Sequence, residues 1–442
     1  GTPVANVDQQ DLVRITPYEG RDDAYLLDGE AREFEILVQK FKLDQSDDAE
    51  VVEEEWKITE FGPVLGSAFD AHIDEGEMFA LMWPGLKPLN PDSAIITGLW
   101  DLAKSENVQD ATRAAEKITA PPVSMTLAFD DGSVAFRLTG DLPVRASDEP
   151  SWLPRDGTSS TAAWQGRLPP EYKPQLDTPA RGYVVAANQR MIADDGPAAD
   201  VVGWNGMRPY RAMRITERIE SLITGDAKAA PDDIWAIQQD IESVEARRMA
   251  PLLAAHCPAE IEGVDAQTVA AFCAALADFD NTFDKDDTGA VAYQWLERQF
   301  REEVLAAHFD RDLARRMKEE HFAWVAIHEA TLRAAEGGEP ALLDDTNTDG
   351  YDGTAEFVRR ASAVVVEKLR DDLGPTADRW RWGNIHKLSF RGALEAVPLV
   401  GPFLFATAPK EEAGCSECVR AEFDNTFPDG ELNGDITNGA VL

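Results

Sequence analysis

The first part of the chain alternates apolar and polar residues over short stretches, and this period of two predicts β-strands. Residues 34–38 and 56–59 alternate in this way, which is typical of half-buried strands. Residues 125–138 contain two such runs around Asp131-Gly132, and an Asp-Gly pair supplies the positive φ that a hairpin turn needs. The sequence therefore predicts a β-rich region with at least one hairpin.

The middle of the chain, residues 209–335, has a helical period almost throughout. One predicted helix places four β-branched residues on a single apolar face: Ile234, Ile237, Ile241 and Val244. Further helices are predicted over residues 265–278, 290–307, 311–335 and 354–373. Strands flanked by helices indicate an α+β fold with a long all-helical insertion.

These patterns divide the chain into a β-rich part over residues 1–208, a helical excursion over 209–335 and a return to the core over 336–442. The sequence opens on Gly1 and stops within an apolar run at Leu442, so we expect it to be truncated at both ends. The absence of a signal peptide then says nothing about localisation. No apolar run reaches the length of a membrane span.

The net charge of the chain disfavours two classes of binding partner. The chain has 81 acidic and 42 basic residues, a net charge of −39. Such a surface repels phosphate backbones and anionic lipids, so we expect neither a nucleic acid nor a membrane surface as partner. The acidity is typical of a highly soluble protein, and acidic loops also suit Ca²⁺.

The four cysteines fall into two pairs of different character. Cys257 and Cys273 lie in apolar helical stretches, which favours buried free thiols. Cys415 and Cys418 form a CxxC pair that could be a small disulfide or half of a zinc site. A second CxxC or a nearby histidine pair is missing from the sequence, which disfavours zinc.

An acidic loop matches the calcium-binding pattern of EF-hands. Its ligand positions are Asp345, Asn347, Asp349 and, at position twelve, Glu356. A helix is predicted to follow the loop, but no clear helix runs into it. The alternative is a solvated turn that caps the following helix, and the general acidity of the chain favours this alternative.

Several short strings, in a fixed order along nearly the whole chain, resemble the penicillin amidase family of N-terminal-nucleophile hydrolases. They are Asp8–Leu12, Phe61–Leu65, Ala80–Leu86, Asp131–Arg145, Trp164–Pro169, Gly182–Gln189, Tyr210–Ile215 and Trp380–His386. Two positions depart from the family pattern, since Phe61 replaces a usual histidine and Gln189 replaces a common second asparagine. Each string alone is weak, but their shared order indicates homology.

The resemblance implies a four-layer αββα sandwich and the hydrolysis of linear amide bonds in N-acyl compounds such as β-lactams and acyl-homoserine lactones. It also implies a small α chain cut from the same precursor and a periplasmic or extracellular location. In this family an N-terminal Ser attacks the amide carbonyl, with its own α-amine as the base. That Ser would lie upstream of Gly1, which has no side-chain nucleophile, so we expect the stretch alone to be inactive.

Three catalytic positions follow from the resemblance. It implies that the Asn188 carboxamide and the backbone N–H near Val4 form the oxyanion hole. It implies that Arg211 holds the asparagine and the N-terminal amine in place, which suits the fixed fork of a guanidinium. Taken by themselves, Asn188 would be a turn residue and Arg211 a surface residue like Arg208 and Arg214.

A structural Ca²⁺ site is also implied by the resemblance. Its ligands would be the carboxylates of Asp8, Asp11 and Asp200, with carbonyl oxygens near Gln10 and Pro150. Hard oxygen donors from separate loops suit Ca²⁺, which takes six to eight of them.

One rival function belongs to a different class, namely a non-catalytic acidic Ca²⁺-binding protein that retains the fold. The departures at Phe61 and Gln189 leave room for it. His386 lies near two tryptophans, and we interpret it as a packed core residue rather than as part of a site.

Overall fold

The structure is a computed structural model, and it forms two compact units, residues 1–207 and residues 208–442. It describes residues 1–43, 51–66, 76–90, 92–146, 150–193, 199–202, 207–224, 228–319, 321–338, 340–389, 409–421 and 435–437. Both helices and sheets are present, so the predicted α+β class is confirmed.

The first unit is built mainly from short strands. These are β1 (Asp11–Arg14), β2 (Ala24–Leu27), β3 (Glu30–Glu33), β4 (Glu35–Lys42), β5 (Val51–Thr59), β6 (Gly62–Pro63), β7 (Phe79–Met82), β8 (Ser124–Ala128), β9 (Val134–Leu138), β10 (Pro143–Val144), β11 (Arg155–Asp156), β12 (Gly166–Arg167) and β13 (Gln175–Asp177). Its helices are α1 (Ile95–Ala103), α2 (Val108–Ala115) and α3 (Ala199–Val202).

The strands of the first unit pair into small sheets, with strand orders β11-β1-β7, β13-β9-β8, β4-β5-β6, β2-β3 and β10-β12. The predicted hairpin is confirmed, because β8 pairs antiparallel with β9 from Ser124↔Leu138 to Ala128↔Val134. Gly132 has φ +86° in its turn, a conformation that glycine adopts without steric cost.

The strands β4 and β5 were predicted to be half-buried, and that prediction is wrong for β4. The two strands pair over eight residue pairs, from Glu35↔Ile58 to Lys42↔Val51. All of β4 is exposed, including Leu37 at 45%, and the cross-strand partner of Leu37, Trp56 in β5, is 41% exposed. Period-two alternation predicted both strands correctly but not how far their faces are exposed.

The second unit is mainly helical. Its helices are α4 (Tyr210–Leu222), α5 (Pro231–Gln238), α6 (Val244–Ala255), α7 (Ala266–Asp278), α8 (Gly289–His308), α9 (Arg311–Glu319), α10 (His321–Ala335), α11 (Gly353–Asp372) and α12 (Trp382–Ile385). A small sheet of order β15-β14-β16 contains β14 (Lys387–Ser389), β15 (Lys410–Glu411) and β16 (Asp435–Thr437).

The core of the second unit surrounds α8, whose side chains Val291, Leu296 and Phe300 are fully buried. Aromatic rings extend this core towards α12. Phe283 meets Trp382 edge-on at 5.0 Å between ring centroids, and Trp382 stacks on His386 at 4.8 Å. His386 is 1% exposed, which agrees with its interpretation as a packed residue.

The continuous apolar face through Ile234, Ile237, Ile241 and Val244 is not one helix. Helix α5 ends at Gln238 and α6 begins at Val244, so Ile241 lies in the connection. Ser243 caps α6, because its hydroxyl accepts a hydrogen bond from the Ala246 N–H. Helical spacing persisted across the break by chance, and the N-cap residue determined where the new helix starts.

The prediction of buried free thiols at Cys257 and Cys273 is also wrong. These two residues form a disulfide, with Cα atoms 5.8 Å apart and a sequence separation of 16. Cys415 and Cys418 form a second disulfide, which resolves the alternative left open for the CxxC pair. The pairing of Cys257 with Cys273 depends on how α7 packs against the segment before it. The local sequence pattern does not predict that packing.

Within the described parts of the chain, no helix is both long enough and apolar enough to cross a membrane.

Candidate active site

Two of the sequence-predicted catalytic positions lie together in the first unit. The Asn188 side-chain Nδ2 donates a hydrogen bond to the Val4 carbonyl oxygen at 2.7 Å, although the residues are 184 positions apart. Val4 is 54% exposed, so this contact lies at the surface of the unit. The structure therefore brings the Asn188 carboxamide against the backbone of Val4, the residue near which the resemblance places the second donor, although the observed contact is with the carbonyl and not with the N–H.

The backbone N–H of Val4 points to the same side of the strand as its carbonyl. Val4 forms an antiparallel bridge with Val123, in which Ala5 N–H donates to the Pro122 carbonyl at 3.1 Å. The other flanking bond runs from Ser124 N–H to the residue before Val4, at 2.8 Å. Because both bonds come from residues beside Val4, its own N–H and C=O point to the opposite edge of the strand. That edge is where the asparagine carboxamide lies.

Asn188 sits at a bend of the chain, where a turn residue is expected. Its φ is +68°, a left-handed conformation that asparagine tolerates better than most residues. The neighbouring Gln189 holds this turn, since its Oε1 accepts from Ala187 N–H at 2.6 Å and its Nε2 donates to the Val185 carbonyl at 3.1 Å. Gln189 was regarded as a departure from the family pattern, but it supports the carboxamide that precedes it.

Arg211 lies in the first turn of α4, which begins at Tyr210, one residue after the predicted start of the helical region. Burial lowers the pKa of Arg211, and the negative charge of Glu417 opposes that effect, whereas the charge of Arg208 adds to it. Arg214, three positions along the same helix, forms two hydrogen bonds to Asp240 at 2.9 and 2.8 Å. Arg214 therefore has a structural role that fixes α4 to the segment after α5.

The predicted calcium carboxylates Asp8 and Asp11 are brought together by Arg145. Its Nε lies 3.0 Å from both carboxylate oxygens of Asp11, and its Nη2 lies 2.9 Å from Asp8 Oδ1. The Trp164 indole N–H also donates to Asp11, at 2.6 Å. Burial raises the pKa of Asp8, and Ser151 and Arg145 oppose that rise.

The cluster of Asp8, Asp11 and Arg145 meets some of the requirements of a cation site. Two buried carboxylates face one guanidinium, which leaves one net negative charge, and Asp8 Oδ2 is buried without a hydrogen-bond partner of normal geometry among the described residues. Both oxygens of Asp11 are already engaged. Of the other predicted ligands, Gln10 and Pro150 are exposed, and Asp200 lies in α3 with its side chain outside the described part.

In the EF-hand-like loop, arginine side chains pair with the carboxylates that were predicted to bind Ca²⁺. Arg360 contacts Asp345 at 2.6 Å, Asp352 at 3.0 Å and Glu356 at 3.0 Å. Hydrogen bonds from Arg359 and then Arg360 lower the pKa of Glu356 to about 2. The carboxylates at the first and last ligand positions are thus paired with arginine, and this geometry favours the helix-capping turn over a calcium site.

A buried group in the second unit had no signal in the sequence. The side chains of Glu245, Glu297 and His328 place ligand atoms within 4.8 Å of one another, so this group could hold a metal ion. They come from α6, α8 and α10, and only helix packing brings them together. Residues this far apart along the chain form no short motif, which is why the sequence gave no warning of them.

Two guanidinium groups already contact that buried group. Arg208 donates to His328 Nδ1, and Arg301 lies 2.6 Å from Glu297. With Nδ1 as the acceptor, His328 Nε2–H donates to Glu245 at 3.0 Å, so the imidazole is neutral. Burial and the charge of Arg208 lower the pKa of His328 well below its usual value, which agrees with that assignment.

Comparison with known proteins places this chain in a family. Residues 1–440 match the family described as Penicillin amidase. Acyl-homoserine lactone acylase QuiP of Pseudomonas fluorescens is 25% identical over 354 residues, which cover 76% of this chain and 41% of that protein. Penicillin acylase 2 proenzyme of a Pseudomonas species is 37% identical over 131 residues, which cover 30% of this chain and 16% of that protein. The chain thus spans about two fifths of the length of the first relative.

Among solved structures, a thermostable penicillin G acylase from Alcaligenes faecalis is similar with a TM-score of 0.68 and 16% sequence identity. The similarity covers 94% of this chain and 75% of that chain. At this identity the likeness shows the fold, and it confirms the predicted N-terminal-nucleophile hydrolase fold. Because the family match extends over nearly every residue, the chain belongs to the penicillin amidase family.

Proposed function

We propose that this chain contributes the oxyanion-stabilising part of an acylase that hydrolyses linear amide bonds in N-acyl compounds. The observation that carries the proposal is the contact between the Asn188 carboxamide and the backbone of Val4. Relatives named as acyl-homoserine lactone acylase and penicillin acylase support this substrate class. The nucleophile would be an N-terminal Ser in the longer protein, outside the stretch described here.

The chemistry follows from where negative charge develops. When a hydroxyl attacks an amide carbonyl, the oxygen of the tetrahedral intermediate becomes an oxyanion that needs fixed donors. The Val4 N–H points to the strand edge where the carboxamide of Asn188 lies, so both donors lie at that edge. A fixed donor of this kind contributes about 3 kcal/mol to transition-state stabilisation. The bond to the Val4 carbonyl fixes the carboxamide in advance, so that it need not reorganise during the reaction.

The test uses the full-length protein that contains this chain, purified in its mature form. It is incubated with a panel of N-acyl amides that carry fatty, phenylacetyl and other aromatic acyl groups, and the released carboxylic acid is quantified by mass spectrometry. We expect release of the acid and the amine in equal amounts. A mature protein that releases no acid from any member of the panel would contradict the proposal.

The rival function, a non-catalytic Ca²⁺-binding protein, predicts the opposite result for the same protein. A non-catalytic acidic protein that keeps the fold would bind Ca²⁺ and gain thermal stability without releasing any acid. The contact between the Asn188 carboxamide and the backbone of Val4 favours the enzyme, since an ion-binding scaffold has no need of it.

We further propose that Ca²⁺ binds beside Asp8 and Asp11, with Gln10, Pro150 and Asp200 as the remaining predicted ligands. The net negative charge left by Asp8, Asp11 and Arg145 supports this proposal. The ion would stabilise the loops that carry its ligands and would take no part in the chemistry.

The location and the partner are proposals of the same kind. Two disulfides are typical of oxidising compartments, which supports a periplasmic or extracellular location. We propose as partner a small chain cut from the same precursor, because one relative is named a proenzyme. Helix α1 supports this idea, since Ile96, Leu99 and Trp100 on one of its faces are 79%, 50% and 62% exposed.

A further inference from the structure

The side chain of Gln189 braces the bend of the chain that carries Asn188. Its Oε1 accepts a hydrogen bond from the Ala187 N–H at 2.6 Å. Its Nε2 donates to the Val185 carbonyl oxygen at 3.1 Å. Both polar atoms of one carboxamide therefore bind the main chain that leads into Asn188. Such local side-chain bonds fix a backbone conformation that belongs neither to a helix nor to a sheet.

The main chain of Asn188 itself is also held in place. Its carbonyl oxygen accepts a hydrogen bond from the Met207 N–H at 3.2 Å, and Gln189 forms a parallel bridge with Met207. The φ of Asn188 is +68°. A residue other than glycine keeps this left-handed conformation where the surrounding contacts hold it. The direction in which the Asn188 carboxamide points therefore depends on the contacts of the bend.

One hydrophobic cluster supports both this segment and the segment that contains Val4. Val184 and Ala186, which precede the bend, pack against the cluster that contains Ala5. Ala5 follows Val4 directly and is 7% exposed. The two segments thus share a core in the first unit. With that core fixed, the conformation of the bend determines how the Asn188 carboxamide reaches the backbone of Val4.

We propose that Gln189 is a positioning residue that directs the Asn188 carboxamide towards the backbone of Val4. The inference rests on the proposed function, in which that carboxamide stabilises the oxyanion. Gln189 acts through the main chain and does not touch the reacting atoms. It is one methylene longer than the asparagine that is common at this position in the family, and the longer stem suits contacts two and four residues back along the chain.

Loss of this brace should affect the transition state more than substrate binding. A donor aimed at the oxyanion meets a charge that develops only during the reaction, so misdirecting the donor lowers kcat and leaves KM nearly unchanged. A misplacement of about 1 Å can lower a rate about 10²-fold. Removal of the Gln189 side chain leaves the Asn188 donor present but less well aimed, so its effect should be smaller than that of removing Asn188.

The test is a double-mutant cycle in the mature full-length enzyme, with kcat and KM measured for the wild type, Gln189→Ala, Asn188→Ala and the double variant. We expect Gln189→Ala to lower kcat about 10- to 100-fold with KM nearly unchanged. In the Asn188→Ala background the same change should have no further effect on kcat, because the group that Gln189 directs is gone. Gln189→Asn keeps the carboxamide on a shorter stem and should lower kcat less. The cycle is repeated with Gln189→Asn if Gln189→Ala does not mature.

Gln175→Ala is the matched control. The Gln175 Nε2 also donates to a carbonyl oxygen four residues earlier, that of Glu171 at 3.4 Å, and Gln175 lies in β13. We expect this variant to keep the wild-type kcat. The thermal midpoint of every variant is measured as well, and kcat is normalised to the folded protein, so that a loss of stability is not counted as a loss of rate.

The outcomes distinguish this inference from the proposed function. If the wild type is active and Asn188→Ala is impaired, but Gln189→Ala keeps the wild-type kcat, Gln189 is not a positioning residue and the proposed function stands. If Gln189→Ala lowers kcat by the same factor with and without the Asn188 carboxamide, its effect does not pass through that group, and the inference is equally overturned. A wild-type enzyme that releases no acid overturns both.

Discussion

Replacing Arg145 by methionine tests the cluster of charged side chains formed by Arg145, Asp8 and Asp11 in the first unit. The side chain is 9% exposed, and its partners Asp8 and Asp11 are 11% and 0% exposed. Methionine keeps most of the apolar stem but removes the bonds to both carboxylates. Breaking a buried pair leaves uncompensated charge and costs about 3 to 5 kcal/mol of the free energy of unfolding. We place Arg145→Met at the upper end of that range, because it leaves two buried carboxylates rather than one.

The pH dependence of this variant has a definite sign. Burial already raises the pKa of Asp8 in the wild type, and Arg145 is one of the groups that oppose the rise. Without Arg145 the pKa of Asp8 rises further above its value in the unfolded chain. The folded state then binds the proton more readily, so the stability lost at pH 7 is partly regained as the pH falls towards 5.

The assay is urea unfolding at pH 7 and pH 5, followed by tryptophan fluorescence, for the wild type, Arg145→Met and a matched control. The control is Arg21→Met, because Arg21 also lies 2.8 and 2.9 Å from two carboxylates, Asp23 and Glu33, which are 69% and 74% exposed. We expect the control to unfold at the wild-type midpoint, since exposed ion pairs contribute little. Equal losses in both variants, or no loss in Arg145→Met, would refute the reasoning.

Three further predictions concern stability. The pKa of His386 is lowered to about 4, mainly by burial, so the unfolded chain takes up a proton first and the wild type loses about 3 kcal/mol as the pH falls from 6.5 to 4. Urea midpoints across that range should show this loss, and His386→Gln should lack it. Replacing Cys257 and Cys273 together by alanine should lower the free energy of unfolding by about 3 kcal/mol, because their loop has a sequence separation of 16. Chelation of Ca²⁺ should lower the thermal midpoint of the wild type but not that of Asp8→Asn, and equal shifts in both would remove Asp8 from the ion site.

Local signals in the sequence predicted local structure well. The Asp131-Gly132 turn and the start of α4 at Tyr210 were both found, because each depends on residues that are neighbours along the chain. The break between α5 and α6 was missed. Its signal was Ser243, whose side chain caps α6, but apolar spacing on either side continued the helical pattern across it.

The same distinction between local signals and long-range contacts applies to the candidate site. Asn188 and Arg211 were identified through the family resemblance, while their surroundings depend on contacts between distant segments. The support from Gln189, the clamp of Arg145 on Asp8 and the carboxylate of Glu417 arise only once the chain is folded. Such contacts join loops and helices whose packing no short motif records.

The most direct test of the central claim is the rate of amide hydrolysis by Asn188→Ala in the mature full-length enzyme. Loss of a fixed oxyanion donor should lower kcat about 10²- to 10³-fold with KM nearly unchanged. Asn90→Ala is the matched control, because that carboxamide also donates to a main-chain carbonyl, that of Glu116 at 3.2 Å, and it has no place in the proposed chemistry. We expect the control to keep the wild-type kcat. An Asn188→Ala enzyme that hydrolyses N-acyl amides at the wild-type rate would contradict the account.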